Sequence, residues 1–267
     1  VGERTTLVVI GGGNMGAALV QGLLNAGHRP TDVAVCEARA ERRTELQSMF
    51  PGLSVTEHVP ACTEALIAVK PGDVAATCRQ AVAAGATRVV SIAAGVRLDA
   101  LQAACGDHVR VVRAMPNTPA IVGLAATAFA AGDGCGSEER GWATRLLSSV
   151  GLVIEVQESM LDAFTGLVGS GPAYVFYVAG ALREAAVREG FDAATSATLV
   201  ARVLVGAASL LEREPEAADE LRRRVTSPNG TTAAGVAELE ARRVDDAIIA
   251  AVRAATERSR ELGDARA

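Results

Sequence analysis

Val8-Val9-Ile10-Gly11-Gly12-Gly13-Asn14-Met15-Gly16 is the stretch on which the fold turns. Three β-branched residues in a row read as a strand buried on both faces, and G-x-G-x-x-G directly after them reads as the turn into a helix. Each glycine has a physical task. Gly11 makes the tight turn, Gly13 lets a pyrophosphate approach the backbone, and Gly16 lets helix and strand pack closely. The helix start would offer free N–H groups and the positive end of its dipole to the phosphates. Alone the motif is weak. Its place after a strand and before a helix favours dinucleotide binding over a Gly-rich turn in a non-binding α/β protein.

Working outward, short β-branched runs alternate with helical stretches. Strands are expected at Leu7–Ile10, Val33–Cys36, Leu66–Val69, Val89–Ala93, Val109–Arg113, Ala126–Ala130 and Val153–Val156, with amphipathic segments such as Gly16–Ala26 and Arg39–Met49 between them. This alternation predicts a parallel, doubly wound sheet. After Glu158 the strand pattern stops and Ala-rich helical periodicity takes over. Helices are expected over Pro172–Glu189, Ala193–Arg213, Glu216–Arg224, Thr232–Ala241 and Asp245–Leu262. The division is therefore placed at residues 1–158 and 159–267, an α/β domain followed by an all-α one. No Pro- or Ser-rich linker separates them, so they are expected to pack closely. The helical half is rich in Ala, Val and Leu with little polar covering, which predicts completion by a second copy as a homodimer.

Composition narrows the classes. The 267 residues are 49% hydrophobic but only 3% aromatic, so the core is built from small aliphatic side chains. A net charge of −5 without a long basic run argues against nucleic acid or an anionic membrane as partner. Apolar runs look interrupted before about 18 residues, so no spanning helix is expected. Val1-Gly2-Glu3-Arg4 leads straight into an apolar strand, leaving no room for a signal peptide, and a cytoplasmic location is expected. Cys36, Cys62, Cys78, Cys105 and Cys135 are scattered without a CxxC, which fits buried, reduced thiols. His28, His58 and His108 are isolated, and no metal site is expected.

The cofactor half carries further signals. Glu37 ends the second strand about twenty residues after Gly16, where a carboxylate usually bonds ribose hydroxyls and favours NAD. Arg39 and Arg42 stand close enough to bind a 2′-phosphate instead, so both NADH and NADPH stay open; a solvated charged helix start is the plain alternative. Ala68-Val69-Lys70-Pro71 closes a strand where doubly wound folds bind ligands, and Lys70 is the chain's only lysine. It is as readily incidental as functional.

The chemistry is narrowed by elimination. The helical half contains no His, Lys or Cys, which disfavours the proton-moving group that a hydroxy-acid dehydrogenase needs. Imine reduction fits better, because an iminium already carries its charge and the site mainly orients it and excludes water. Two loops could do so. Thr226-Ser227-Pro228-Asn229-Gly230-Thr231-Thr232 joins the basic Arg222–Arg224 helix end to a new helix, exposing N–H groups suited to a carboxylate. Ser170-Gly171-Pro172-Ala173-Tyr174 also opens a helix. Ordinary capping explains either loop equally well.

With these residues laid out, the chain resembles the pyrroline-5-carboxylate reductase family over essentially its whole length. The matching blocks are Ile10–Gly16, Ala68–Pro71, Ser91–Gly95, Arg113–Pro119, Ser170–Tyr174 and Val225–Glu240, and the last of these is the most specific. The resemblance implies a Rossmann-type doubly wound sheet followed by an all-α dimerisation domain, with dimers that assemble further into rings. It implies NAD(P)H-dependent reduction of 1-pyrroline-5-carboxylate to L-proline, the last step of proline biosynthesis, in a pocket shared between the domains. By position, Ile10, Gly11, Gly12, Gly13, Asn14, Met15 and Ala68, Val69, Lys70, Pro71 would line the dinucleotide. Glu37, Arg39 and His58 would lie at its adenosine end. Ile92, Ala93 and Ala94 would follow its path, and Asn117 would lie near the nicotinamide. Ser227, Asn229, Gly230, Thr231 and Thr232 would hold the substrate, with the Thr232 hydroxyl near the imine nitrogen; Glu158 and Glu214 match positions close by. Glu37 stands where many relatives have a neutral residue, and His58 where Asn is common. Asn229 stands where Gly is usual, but Asn tolerates a left-handed backbone. The competitors are reduction of a different cyclic or acyclic imine, such as a six-membered-ring homologue, separable by side-by-side assays, and a non-catalytic dinucleotide-binding protein.

Overall fold

The computed structural model describes residues 6–214 and 217–265. The charged lead-in Val1–Arg4 and Glu216, the expected start of a helix, lie outside the described residues. Eight strands form one sheet: β1 (Leu7–Ile10), β2 (Val33–Cys36), β3 (Ser54–Thr56), β4 (Glu64–Ile67), β5 (Arg88–Ser91), β6 (Arg110–Met115), β7 (Ala125–Ala131) and β8 (Gly151–Glu155). Their spatial order is β3-β2-β1-β4-β5-β6-β7-β8. β1 is buried at every residue and sits where the order reverses, with Val9 paired to Val35 on one side and Leu66 on the other. A strand buried on both faces must be continuously apolar, which is why its sequence was so legible.

Helices α1 (Asn14–Asn25), α2 (Ala40–Met49), α3 (Val74–Ala83), α4 (Leu98–Cys105) and α5 (Ser137–Leu147) follow strands of the sheet. Two apolar cores result. One gathers Leu19, Leu23, Val9, Val35 and Phe129 with Trp142; the other gathers Val8, Ile67, Val89 and Leu101 with Cys78 and Cys105. All five cysteines are buried free thiols, as expected.

Several expectations need correction. The sheet is not wholly parallel: β7 runs antiparallel to β6, with Ala114 opposite Phe129. The connection between them is too short for the crossover of a dozen or more residues that a parallel pair requires. The edge strand β3 was not anticipated; it is three half-covered residues with little apolar signal. β4 begins and ends two residues before the expected Leu66–Val69, because Glu64 pairs with Leu7. Ala68–Pro71 therefore lies beyond the strand end.

Beyond Glu155 no strand occurs among the described residues. A short helix α6 (Leu161–Phe164) passes into a π-turn over Thr165–Gly169. Then come α7 (Gly171–Arg188), α8 (Ala193–Arg213), α9 (Ala218–Arg224), α10 (Thr231–Ala241) and α11 (Val244–Asp264). Asp192 caps α8 by accepting hydrogen bonds from the Ala194 and Thr195 N–H groups, both at 2.9 Å. Compact units comprise residues 1–170 with 253–267, and residues 171–252, whereas the sequence reading divided the chain at 158/159. Residues 159–170 fall in the first unit because Leu161 is buried with Ala128 and Ala130 of the sheet.

The expectation of no membrane-length helix is also corrected. Ala193–Arg213 is long and apolar enough to cross a membrane by length and composition, with mean hydropathy 1.6 over its best window. Arg202 is the only charge between Asp192 and Glu212, too little to interrupt the run.

Candidate active site

The turn after β1 is shaped by what its glycines must avoid. Gly11 has φ +105°, and a Cβ there would lie 2.5 Å from the Ala68 carbonyl oxygen. A Cβ on Gly16 would collide with the Gly11 carbonyl, so α1 can start this close to β1 only with glycine at 16. A Cβ on Gly13 would meet nothing within 4 Å. Gly13 is the N-cap of α1 and gives no side-chain cap to its first turn. The cradle is thus tight against protein at Gly11 and Gly16 and open at Gly13, where no side chain caps the helix start. That shape fits an approaching pyrophosphate.

Because the strand order runs β2-β1-β4-β5-β6 and all five strands are parallel, their C-terminal ends lie on one edge of the sheet. The sequence-predicted cofactor residues fall on that edge in spatial order. Glu37 and Arg39 follow β2, Gly11–Met15 follow β1, Ala68–Pro71 follow β4, Ile92–Ala94 follow β5 and Asn117 follows β6. Four strand spacings cover roughly 19 Å, a span suited to an extended dinucleotide. A cleft of about 1060 Å³ opens over the β2–β1–β4 part and is lined by Ile10, Gly11, Gly13, Glu37, Arg39 and His58 with Ala68, Val69 and Lys70. Gly12, Asn14, Met15, Pro71, Ile92–Ala94 and Asn117 are not among its walls. Sequence reasoning missed the wall that α3 supplies through Thr77 and Gln80, with Asp73 just before it; no motif marks that helix.

Glu37 is buried, and both its oxygens are engaged. Oε2 accepts the Gly12 N–H at 3.0 Å, while Oε1 accepts the Arg39 N–H at 3.0 Å and the Arg39 Nε at 3.1 Å. Burial pushes its pKa upward, but the hydrogen bonds from Arg39 and Gly12 outweigh this and hold it below the ordinary carboxylate value. Arg39 keeps the rest of its guanidinium in solvent. Arg42 is committed elsewhere, with Nε donating to the Gly12 carbonyl at 2.7 Å and Nη1 to Glu45. Of the two candidate arginines, only Arg39 has free donors facing the cleft.

Two expected site residues carry structural bonds. Asn117 donates from Nδ2 to the Val168 carbonyl at 3.1 Å and accepts the Ala126 N–H at 3.0 Å, tying β7 to the π-turn. Glu158 accepts the Leu98 N–H at 2.8 Å and an Arg113 Nη1–H at 2.9 Å.

In the helical unit, Gly230 is the N-cap of α10 and supplies no side-chain cap. Asn229 adopts φ +58°, the left-handed conformation expected of it. The Gly230 N–H donates to the Ser227 carbonyl at 3.0 Å, closing the turn, and Thr231 and Thr232 are exposed. The arginines before the loop are paired with nearby carboxylates: Arg222 with Asp219, Arg223 with Glu220, and Arg224 with Glu214 at 3.0 Å and Glu220 at 3.1 Å. The loop's attraction for an anion therefore rests on backbone N–H groups.

A family model described as pyrroline-5-carboxylate reductase dimerisation matches residues 158–262, and one described as NADP oxidoreductase, coenzyme F420-dependent, matches residues 6–95. A pyrroline-5-carboxylate reductase from Synechocystis is 40% identical, over 96% of this chain and 98% of its own. The structure of a pyrroline-5-carboxylate reductase from Coxiella burnetii superposes with TM-score 0.89 at 31% identity, covering 97% and 99% of the two chains. That of Plasmodium falciparum pyrroline carboxylate reductase, solved with NADP bound, gives 0.85 at 25% identity, covering 98% and 99%. With a glycine cradle at the switch point, the full signature loop and full-length relatives at this identity, the chain belongs to the pyrroline-5-carboxylate reductase family and is an oxidoreductase that uses NAD(P)H.

Proposed function

We propose that this member of the family reduces 1-pyrroline-5-carboxylate to L-proline, and that the residues above divide the work as follows. The observation that carries the reading is the open start of α1 at Gly13, without a side-chain cap, within a cradle closed by Gly11 and Gly16. A bound nicotinamide dinucleotide supplies the hydride for the imine carbon. Gly13, Asn14 and Met15 hold the pyrophosphate through backbone N–H groups, Gly12 shapes the turn with its own N–H held by Glu37, and Ile10 and Ala68–Pro71 flank it. Glu37, Arg39 and His58 take the adenosine end, the carboxylate suiting free ribose hydroxyls and the guanidinium a 2′-phosphate. Ile92, Ala93 and Ala94 bound the nicotinamide end, where Asn117 fixes the neighbouring backbone.

The loop at Ser227, Asn229 and Gly230 with Thr231 and Thr232 holds the substrate. N–H groups at the start of α10 take its carboxylate, and the Thr232 hydroxyl hydrogen-bonds the imine nitrogen. Glu214 supports the loop through Arg224. An iminium needs no strong acid, so orientation and exclusion of water suffice.

The chain works as a homodimer, with dimers assembling into a ring, in the cytoplasm and without nucleic-acid or membrane partners. Support comes from the exposed apolar side chains of the helical unit, among them Phe176, Tyr177, Val203 and Ile249, in a segment matched by a dimerisation family model. Covering by a second copy accounts for the apolar α8 without a bilayer.

Initial rates of NADH and NADPH oxidation with 1-pyrroline-5-carboxylate test the activity. Turnover with either cofactor is expected, and none with both would overturn the reading.

A further inference from the structure

Residues Ser91 to Leu98 join β5 to α4 and include Ile92–Ala94. Both ends of this segment are tied through one buried arginine. At the front, the Ile92 N–H donates to the Ile67 carbonyl at 3.0 Å, and Ser91 is the β-sheet partner of Arg113. At the rear, Leu98 is the first residue of α4, and its N–H donates to Glu158 Oε1 at 2.8 Å. The same oxygen accepts Arg113 Nη1 at 2.9 Å. Arg113 thus spans the segment, its backbone beside one end and its side chain holding the carboxylate that caps the other. It is 5% exposed. Asp162 Oδ1 lies 3.9 Å from Arg113 Nη2 and accepts the Ser259 hydroxyl at 2.7 Å, and Arg97 pairs with Asp264. The end of α11 therefore braces the segment directly at Arg97 and indirectly at Arg113, through Asp162.

We propose that Arg113 and Glu158 are positioning residues that set the Ile92–Ala94 segment at the nicotinamide end of the cofactor, with Ser259 of α11 as their brace. Glu158 then acts on the reaction through α4 and its preceding loop, without touching the substrate. This rests on the reading of residues 92–94 given under the proposed function. The physical argument is that a buried guanidinium such as that of Arg113 must keep its partner, here the half-buried Glu158 carboxylate, so that the pair adds little stability over apolar side chains of the same size but fixes direction. Here the direction fixed is that of a helix start and the loop before it, and small misplacements of a reacting group cost about 100-fold in rate.

The test separates the nicotinamide end from the rest of the cofactor. Calorimetric Kd values for NADPH and for 2′-phospho-ADP-ribose, which lacks the nicotinamide, are measured on the full chain as wild type, Glu158→Ala, Glu158→Gln and Ser259→Ala. In Glu158→Ala the advantage of NADPH over the fragment falls by about tenfold while fragment affinity stays within about threefold. Glu158→Gln, which keeps the acceptor for Leu98, recovers most of it, and Ser259→Ala gives a smaller loss. Equal weakening of both ligands, or no change in either, overturns the proposal. Should Glu158→Ala fail to fold, the proposal stands or falls on Ser259→Ala: loss confined to NADPH supports it, and an unchanged ratio overturns it. A wild-type protein that binds neither ligand would instead overturn the dinucleotide reading itself, and the proposal with it. In turnover, Glu158→Ala lowers kcat and leaves KM for the imine within about twofold; a raised imine KM with unchanged kcat would place Glu158 on the substrate and overturn the proposal.

Discussion

The starts of α1 and α10 are both glycine N-caps preceded by a tight turn, yet they are finished in opposite ways. Gly13 caps α1 inside a unit that buries its own core: β1 has no residue more than 4% exposed, and Glu37 already fastens the turn from behind. Gly230 caps α10 in a unit where neither α7 nor α10 has a buried residue and Tyr177 is 82% exposed. The first of these proposed anion sites is built within one compact unit. The second consists of sound local geometry on helices whose apolar faces still need a covering surface. Helix packing rather than propensity stabilises such segments in water, so the covering belongs to their folding as well as to their function.

Four substitutions probe this contrast. Gly16→Val forces a side chain into the Gly11 carbonyl and should cost about 3 kcal/mol of stability through overpacking. It should also lower NADPH affinity at least about 100-fold. Calorimetry and a denaturant melt check it, and retained affinity would break the claim that the cradle is packed shut. Thr232→Ala leaves NADPH binding within about twofold while kcat drops about 100-fold, the scale of a lost transition-state hydrogen bond. Unchanged kcat would remove that hydroxyl from the mechanism. Tyr177→Asp places a charge on the exposed apolar face of α7 and should weaken self-association by about 100-fold, read by sedimentation velocity at several concentrations. An undisturbed oligomer would show that α7 is not the covered face.

The smallest effect is at Glu37. Glu37→Ser should shift the kcat/KM ratio of NADPH to NADH by about tenfold towards NADPH, with Arg39 left to meet the 2′-phosphate. The same variant sharpens the acid behaviour of the first unit. Because the folded-state pKa of Glu37 is depressed, its stabilising contribution is complete above the ordinary value of 4.5 and disappears as pH falls through the lowered value. Glu37→Ser should therefore flatten the acid limb of a stability profile below pH 4.5. A limb of unchanged slope would mean that the bonds from Gly12 and Arg39 contribute nothing to stability.

Much of this was legible because it is local. Spacing within Val8–Gly16 specifies a strand, a turn and a helix start, since the steric needs of those positions are met by residues only a few places apart. The helices Ala193–Arg213 and Thr231–Ala241 were likewise legible within a residue, from periodicity and caps. The left-handed turn at Asn229 follows from the few residue types that tolerate positive φ. Less visible were features that depend on distant partners. Nothing near β7 in the sequence announces its reversed direction; the short link from β6 imposes it. The three residues of β3 gain strand structure only by lying beside β2. Glu158 looked like a substrate ligand by position, and only the folded chain brings it to Leu98 and Arg113. Asn117 similarly spends its amide on Val168 and Ala126.

By itself, then, the sequence determined the glycine turn after β1 and the change from α/β to all-α, because backbone sterics and hydrophobic period act over a few residues, while the loop before α10 stood out through its family resemblance. The tertiary structure alone decided the spatial order of the candidate cofactor residues along one sheet edge and which charged groups were already paired. It also decided which apolar faces were left uncovered. Those outcomes depend on contacts between residues far apart in the chain, whose geometry no local pattern encodes.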